Sequence, residues 1–306
     1  MLDAGLNANV IQVMGPSRMA SVLLARGTSR GTAVPPEADP LALGESFRSN
    51  PGTAPLHFTA NGNDDNHAAA AEVLLKAGAN PDARMTDGQT PLHVCATTNA
   101  LKVAKVLLSF ACDLNPVQRE RTTPLFVAIS SQHTHMVKLL LNAGADVNAT
   151  DRNGLPGLIT AIFKESMDII VLLLQSGCKV DGCIYTRLSP FRAALITQNI
   201  RVLEMMIEAG CKLPARNEQG MYVDETNVLC DASLEELMKK MSAEQQAWLH
   251  EKLHNPSSLL MLSRKTVRDS LGSNLLRKVE ELRLPTVVKE FIVMKELSAE
   301  LLLLDP

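Results

Sequence analysis

The stretch Ala143-Gly144-Ala145-Asp146-Val147-Asn148-Ala149-Thr150-Asp151-Arg152-Asn153-Gly154 follows directly on the apolar run Leu139-Leu140-Leu141. Leucines closed by a Gly that adopts a left-handed turn at little cost mark the C-terminal end of a helix. The polar segment beyond, rich in Asp, Asn and Gly, has the chemistry of a hairpin finger. Working outward, the same pattern returns as Ala77-Gly78-Ala79-Asn80, Phe110-Ala111-Cys112-Asp113, Ser176-Gly177-Cys178-Lys179 and Ala209-Gly210-Cys211-Lys212. With Ala143 to Asp146 these five segments step by 33 residues, and each has an apolar run before it: Val73-Leu74-Leu75, Val106-Leu107-Leu108, Leu172-Leu173-Leu174 and Met205-Met206-Ile207 for the other four. A fixed period of this length means stacked repeats, each too small to bury its apolar face alone.

A second series keeps the register at Thr90-Pro91-Leu92-His93, Thr123-Pro124-Leu125-Phe126 and Ser189-Pro190-Phe191-Arg192, with Pro156-Gly157-Leu158-Ile159 as a degenerate copy. Proline suits the first helical turn, where its missing N–H loses no partner, and Thr or Ser before it suits the N-cap. Each repeat is therefore two short helices and a finger. Ala54-Pro55-Leu56-His57 heads the first, lengthened by three residues within the polar stretch from Asn61 to Asn66. Ala111 stands where the other repeats have Gly, which predicts strain or a different cap there. The period, the Thr-Pro-Leu-His start and the Gly-Ala-Asp finish resemble the ankyrin repeat. Five copies run from Thr53 to about Leu213, and Asn217-Glu218-Gln219-Gly220 suggests a partial sixth. The resemblance implies an all-α solenoid of helix pairs with β-hairpin fingers.

The composition agrees. Hydrophobic residues make up 46% and charged residues 21% of 306, enough for a packed core, while aromatics are only 3%. Leucine-rich, aromatic-poor chains favour helix over strand. Thirty Lys and Arg against 33 Asp and Glu leave a net charge of −3, which argues against nucleic acid as the partner. The six cysteines form no CxxC pair, a usage that fits reduced thiols in the cytoplasm or nucleus. The first residues lack a secretory signal pattern, and the longest mid-chain apolar run, Ile169 to Leu174, is six residues against the ~20 a membrane span needs. No membrane partner is expected.

Around the repeats the chain changes character. Residues 1–52 combine a helix-like stretch, Met19 to Gly27, with a segment carrying Pro35, Pro36, Pro40 and Pro51. We expect repeats over 53–223 and a linking helix over 231–255 with Leu234, Leu237, Met241 and Trp248 as its apolar stripe. A compact three-helix module is expected over 256–296. Its first helix opens at Ser257-Ser258, its second follows Gly272, and its last opens at Leu284-Pro285 with Val288, Phe291 and Ile292 inward. So small a module buries little surface alone and suggests docking to something else.

Residues 256–293 also resemble the SOCS box, the C-terminal module of ankyrin-repeat proteins that serve as ubiquitin-ligase substrate receptors. That family's elongin-binding motif is a small polar residue then Leu, a Cys four positions on, and an aliphatic residue four further. Ser258-Leu259, Ser263 and Val267 fill those places, with Leu262 beside them. Spacing of four and four puts the anchors on one helix stripe. Ser263 replaces the family's Cys, adding a hydroxyl that needs a partner when buried. The cullin-selecting motif is matched by Leu282-Arg283-Leu284-Pro285, Val288 and Phe291, with Arg283 in place of a proline. The implied partners are elongin B/C, a cullin and a protein target. The competing class is a plain ankyrin scaffold or inhibitor whose C-terminal helices only cap the solenoid.

Catalytic patterns are missing from the sequence. His57 and His93 hold the fourth position of the Thr-Pro-Leu-His start, where an imidazole bonds backbone, and no phosphate loop, nucleophile elbow or paired-carboxylate motif occurs. No enzyme, cofactor or metal site is expected. The finger positions Arg84, Arg119, Arg121, Arg152, Arg187 and Arg216, with Tyr185, are either solvated tips or target contacts. As contacts they suit an acidic or phosphorylated protein segment, because guanidinium pairs bidentately with such groups.

Overall fold

A computed structural model describes residues 53–181, 188–216, 221–223, 231–254, 259–272 and 275–294. Residues 1–52, the finger bearing Tyr185 and Arg187, the segment Asn217 to Gly220, and Ser257-Ser258 lie outside the described residues. The chain divides into two compact units, Met1–Ala143 and Gly144–Pro306.

The first unit holds three helix pairs: α1 (Pro55–Thr59) with α2 (Asp65–Lys76), α3 (Pro91–Thr98) with α4 (Leu101–Ser109), and α5 (Pro124–Ser130) with α6 (Thr134–Ala143). The second continues with α7 (Gly157–Phe163) and α8 (Met167–Gln175), then α9 (Pro190–Thr197) and α10 (Ile200–Glu208). Within each unit, first helices pack on neighbouring first helices and against their own second helices. The period shows in the core. Leu92, Leu125, Leu158 and Phe191 are buried on the first helices, and Leu107, Leu140, Leu173 and Met206 on the second. Proline opens α1, α3, α5 and α9. The hydroxyls of Thr123 and Ser189 accept from the N–H groups of Phe126 and Arg192 at 3.3 and 3.1 Å. In the degenerate repeat Pro156 sits one position earlier, as the N-cap itself, so α7 starts on Gly157.

The fingers are tight hairpins. Met85 donates to the Gln89 carbonyl at 2.9 Å, Gln118 to Thr122 at 3.3 Å and Asp151 to Leu155 at 3.1 Å. Side chains staple finger to finger: Asp82 accepts from the Asp113 N–H at 2.9 Å, Asn148 from Lys179 at 2.8 Å, and Asp181 from Lys212 at 3.0 Å. The described ladder is brief. β1 (Ala215–Arg216) pairs antiparallel with β2 (Tyr222–Val223), flanking the segment read as a partial sixth repeat.

Left-handed backbone recurs on the same period. Gly78, Gly144, Gly177 and Gly210 end the second helices at φ of 84 to 100°, and Ala111 takes the equivalent place at φ 53°. The strain expected at Ala111 is therefore present, since a Cβ is disfavoured there. A second series was not anticipated: Asn99, Gln132, Glu165 and Gln198, each 33 residues from the next, leave the first helices at φ of 54 to 59°. Relieving this strain without touching a packed side chain should stabilise. Ala111→Gly and Glu165→Gly should each raise stability by about 0.5–1 kcal/mol, read as the midpoint of a denaturant melt. A lowered midpoint for both would remove the strain argument.

The C-terminal part contains α11 (Asp231–Met238), α12 (Ala243–His254), α13 (Leu259–Leu271), α14 (Leu275–Glu281) and α15 (Thr286–Val293). The linking region is two helices rather than one. Ser242 caps α12 by accepting from the Gln245 N–H at 3.2 Å, while the Gln245 side chain accepts from the Ser242 N–H at 3.0 Å, a reciprocal box that starts a new helix. The apolar stripe shifts accordingly: Leu234, Leu237, Met241 and Leu249 are buried, whereas Trp248 is half-buried. Helices α13, α14 and α15 close on a small core of Leu275, Val279 and Ile292, with Val267, Leu271 and Val293 packed against it. Ile292 is inward as read from the sequence, Phe291 is half-buried, and Val288 is exposed. Pro285 is the N-cap of α15, and Val288 lies in the helix's first turn, away from the Leu275, Val279 and Ile292 core.

Candidate functional site

Two surfaces carry the residues singled out by the sequence. The first is α13 and the start of α15. Ser263 is exposed, and Val267 is half-buried against the module's own core. Leu259 and Leu262 belong to the same helix; their side chains, like all of Ser258, lie outside the described residues. Around the helix, Ser263, Thr266, Asp269 and Ser270 are exposed, while Arg264 and Arg268 are buried. Leu259 stands one turn before Ser263 on the same helix. Leu284, Pro285 and Val288 form an exposed group at the mouth of α15, joined by Val287. Phe291 lies on another side, its ring 3.8 Å beneath the Arg264 guanidinium.

The buried cations escaped sequence reading. Arg268 is only 5% exposed and donates through Nη1 to the Ile292 carbonyl at 2.9 Å and through Nη2 to the Leu174 carbonyl. Lys265 pairs with Asp181 at 2.6 Å. In a helical pattern such residues look like a solvated face. Nothing in the local sequence names their partners, which lie far off along the chain.

The second surface is the fingers. Arg84, Arg119 and Arg121 are exposed in the first unit and Arg152 in the second. Arg84 donates to the Val117 carbonyl at 2.8 Å, which orients its guanidinium along the neighbouring finger.

The two histidines are structural links. His57 Nδ1 accepts from the Ala54 N–H at 3.0 Å and Nε2 bonds the Gln89 carbonyl at 3.2 Å. His93 repeats this one repeat later, accepting from the Thr90 N–H at 3.2 Å and reaching the Thr122 carbonyl at 3.1 Å. Each ring therefore ties its own helix start to the next finger, and needs one bare nitrogen to do so. Burial holds both below the usual imidazole range, His93 down to about 4, with the Thr122 hydrogen bond opposing. Burial likewise pushes the Cys112 thiol up to about 11 and Cys178 to about 12. Among the described residues no three His, Cys, Asp or Glu side chains are grouped so as to hold a metal ion, and no helix is long and apolar enough to cross a membrane.

Comparison with known proteins agrees with this geometry. Residues 40–118, 56–151 and 111–183 match the family described as ankyrin repeats in three copies, and residues 255–292 match the SOCS box. An 82-residue stretch is 35% identical to the ankyrin repeat and LEM domain-containing protein 1 homolog of Caenorhabditis elegans; the match covers 27% of this chain and 12% of that protein. Ankyrin repeats and SOCS boxes are adaptor and scaffold domains rather than catalytic ones. A SOCS box binds elongin B/C and cullin scaffolds, and the pairing with ankyrin repeats supports a substrate-receptor role in elongin–cullin ubiquitin ligases. The chain belongs to the ankyrin repeat and SOCS box-containing proteins.

Proposed function

We propose that this chain is the substrate-recognition subunit of an elongin B/C–cullin-RING ubiquitin ligase. It holds a target protein on its ankyrin repeats and recruits the ligase through α13 to α15. The observation that carries the reading is the SOCS-box match over a helix whose Ser263 stripe is exposed. Elongin would seat on Ser258, Leu259, Leu262, Ser263 and Val267. A cullin would meet Leu284, Pro285, Val288 and Phe291. The exposed Arg84, Arg119, Arg121 and Arg152, with Tyr185 and Arg187, are the proposed target contacts, suited to an acidic or phosphorylated segment. The chain itself does no chemistry: it raises the effective concentration of target lysines near a charged ubiquitin-conjugating enzyme. The cytoplasm or nucleus, where thiols stay reduced, suits the buried Cys95, Cys112 and Cys178.

The second reading, a scaffold whose last helices merely cap the repeats, draws on one observation. The module packs directly against a repeat, Leu275 donating to the Ser176 carbonyl at 3.4 Å. Co-expression separates the two. The full chain should co-purify elongins B and C in stoichiometric amount and, through them, a cullin. A chain that purifies folded yet captures neither elongin is a scaffold.

A further inference from the structure

Helix α13 has an exposed stripe, and its opposite side is bolted to a repeat. Arg268 is buried between two main-chain carbonyls, Leu174 in the last turn of α8 and Ile292 in α15. A guanidinium at the C-terminal end of α8 also meets the negative end of that helix's dipole. Around it the fit is close. A Cβ on Gly177 would lie 2.7 Å from the Gly272 carbonyl oxygen and 2.8 Å from Leu275 Cβ, so only glycine permits this approach. One on Gly210 would meet the Lys265 side chain at 3.3 Å. Lys265 in turn holds Asp181, the residue that staples the finger to Lys212. The turn after α8 therefore cannot open without breaking bonds made by α13.

We propose that Arg268 is a positioning residue that joins α13 to the C-terminal turn of α8, so that elongin seated on the exposed stripe tightens the repeat behind it. This rests on the adaptor reading above. A partner that binds only the ordered form of α13 stabilises whatever is ordered with it. Here that includes Gly177 and Cys178, whose N–H groups close the α8 turn on Leu174 and Leu173 at 3.1 Å each. Target-bearing repeat and ligase-bearing helix then keep one fixed orientation.

The test is amide hydrogen exchange on the full chain, with and without purified elongin B/C. In Arg268→Gln the Gly177 and Cys178 amides should exchange roughly ten- to a hundredfold faster than in the parent, the loss of a charge-assisted hydrogen bond. The Cys95 and Ala96 amides in the first unit should not change. Elongin should slow Gly177 and Cys178 in the parent but not in Arg268→Gln, although that variant still captures elongin. Arg268→Lys keeps the charge but reaches one carbonyl, and should fall between; it serves alone if the Gln variant does not fold. Unchanged exchange at Gly177 and Cys178 in the variants overturns the proposal. So does equal slowing by elongin in parent and variants. A parent that captures elongin without protection overturns the tightening and spares the adaptor reading, whereas a parent that captures none overturns both.

Discussion

Replacing Leu259 by alanine should strip elongin B/C from the chain and leave the thermal melt of the repeats where it was. Leu259 stands four residues before the exposed Ser263 on α13. As a partner's anchor it would be fully buried only in the complex. Truncating such a leucine typically costs about 2–4 kcal/mol, which is roughly 30- to 1000-fold in affinity. Ser263→Cys should keep or strengthen capture, because it removes a hydroxyl that must find a partner when covered. The pair of measurements is a pull-down and a melt on the same samples. Retained capture by Leu259→Ala would remove the proposed anchor. A lowered melt in a chain whose parent captures no elongin would make α13 a cap.

Mild acid should loosen the first unit. His93 is 1% exposed and its pKa falls from 6.5 to about 4 on burial. The folded state thus binds fewer protons than the unfolded state between those values, and stability must fall as pH falls through that window. Above pH 6.5 the contribution is intact. By pH 5 linkage gives a loss of about 2 kcal/mol from His93 alone, approaching ~3 kcal/mol near pH 4. His57, lowered by the same cause, adds to it. Denaturant melts at pH 7.5, 6 and 5 should show the midpoint dropping. In His93→Gln the parent should be more stable at pH 7.5, but the variant's slope between pH 6.5 and 5 should be shallower. An unchanged slope would mean that His93 is not the group responsible.

Much of this architecture could be read from the chain because an ankyrin repeat writes its geometry locally. The Thr-Pro start, the apolar run and the closing Gly each satisfy a backbone need within a few residues, so Pro124 and Gly144 announce their helix ends without help from elsewhere. The second left-handed series was not legible for the converse reason. Asn99, Gln132, Glu165 and Gln198 carry no common cap chemistry, and the packing of each repeat imposes the turn. The break between α11 and α12 was written in Ser242 and Gln245 but hidden by an apolar spacing that ran through it. On α13, spacing of four located a stripe and could not say whose core each residue joins. Val267 packs on Leu275, Val279 and Ile292 of its own module, while Ser263 faces outward. Arg268 was invisible altogether, its two carbonyl partners being 94 and 24 residues away.

The buried cysteines have a kinetic consequence. Thiolate rather than thiol attacks electrophiles and oxidants. With Cys112 near 11 and Cys178 near 12, the reactive fraction at neutral pH is on the order of one in ten thousand or less, and Cys95 is pushed higher still. Modification must therefore wait for a repeat to open, and its rate becomes a clock for that opening. Cys95 and Cys112 time the first unit, and Cys178 the second. Oxidation of these buried thiols would accumulate in molecules that have already begun to unfold, sparing those still folded.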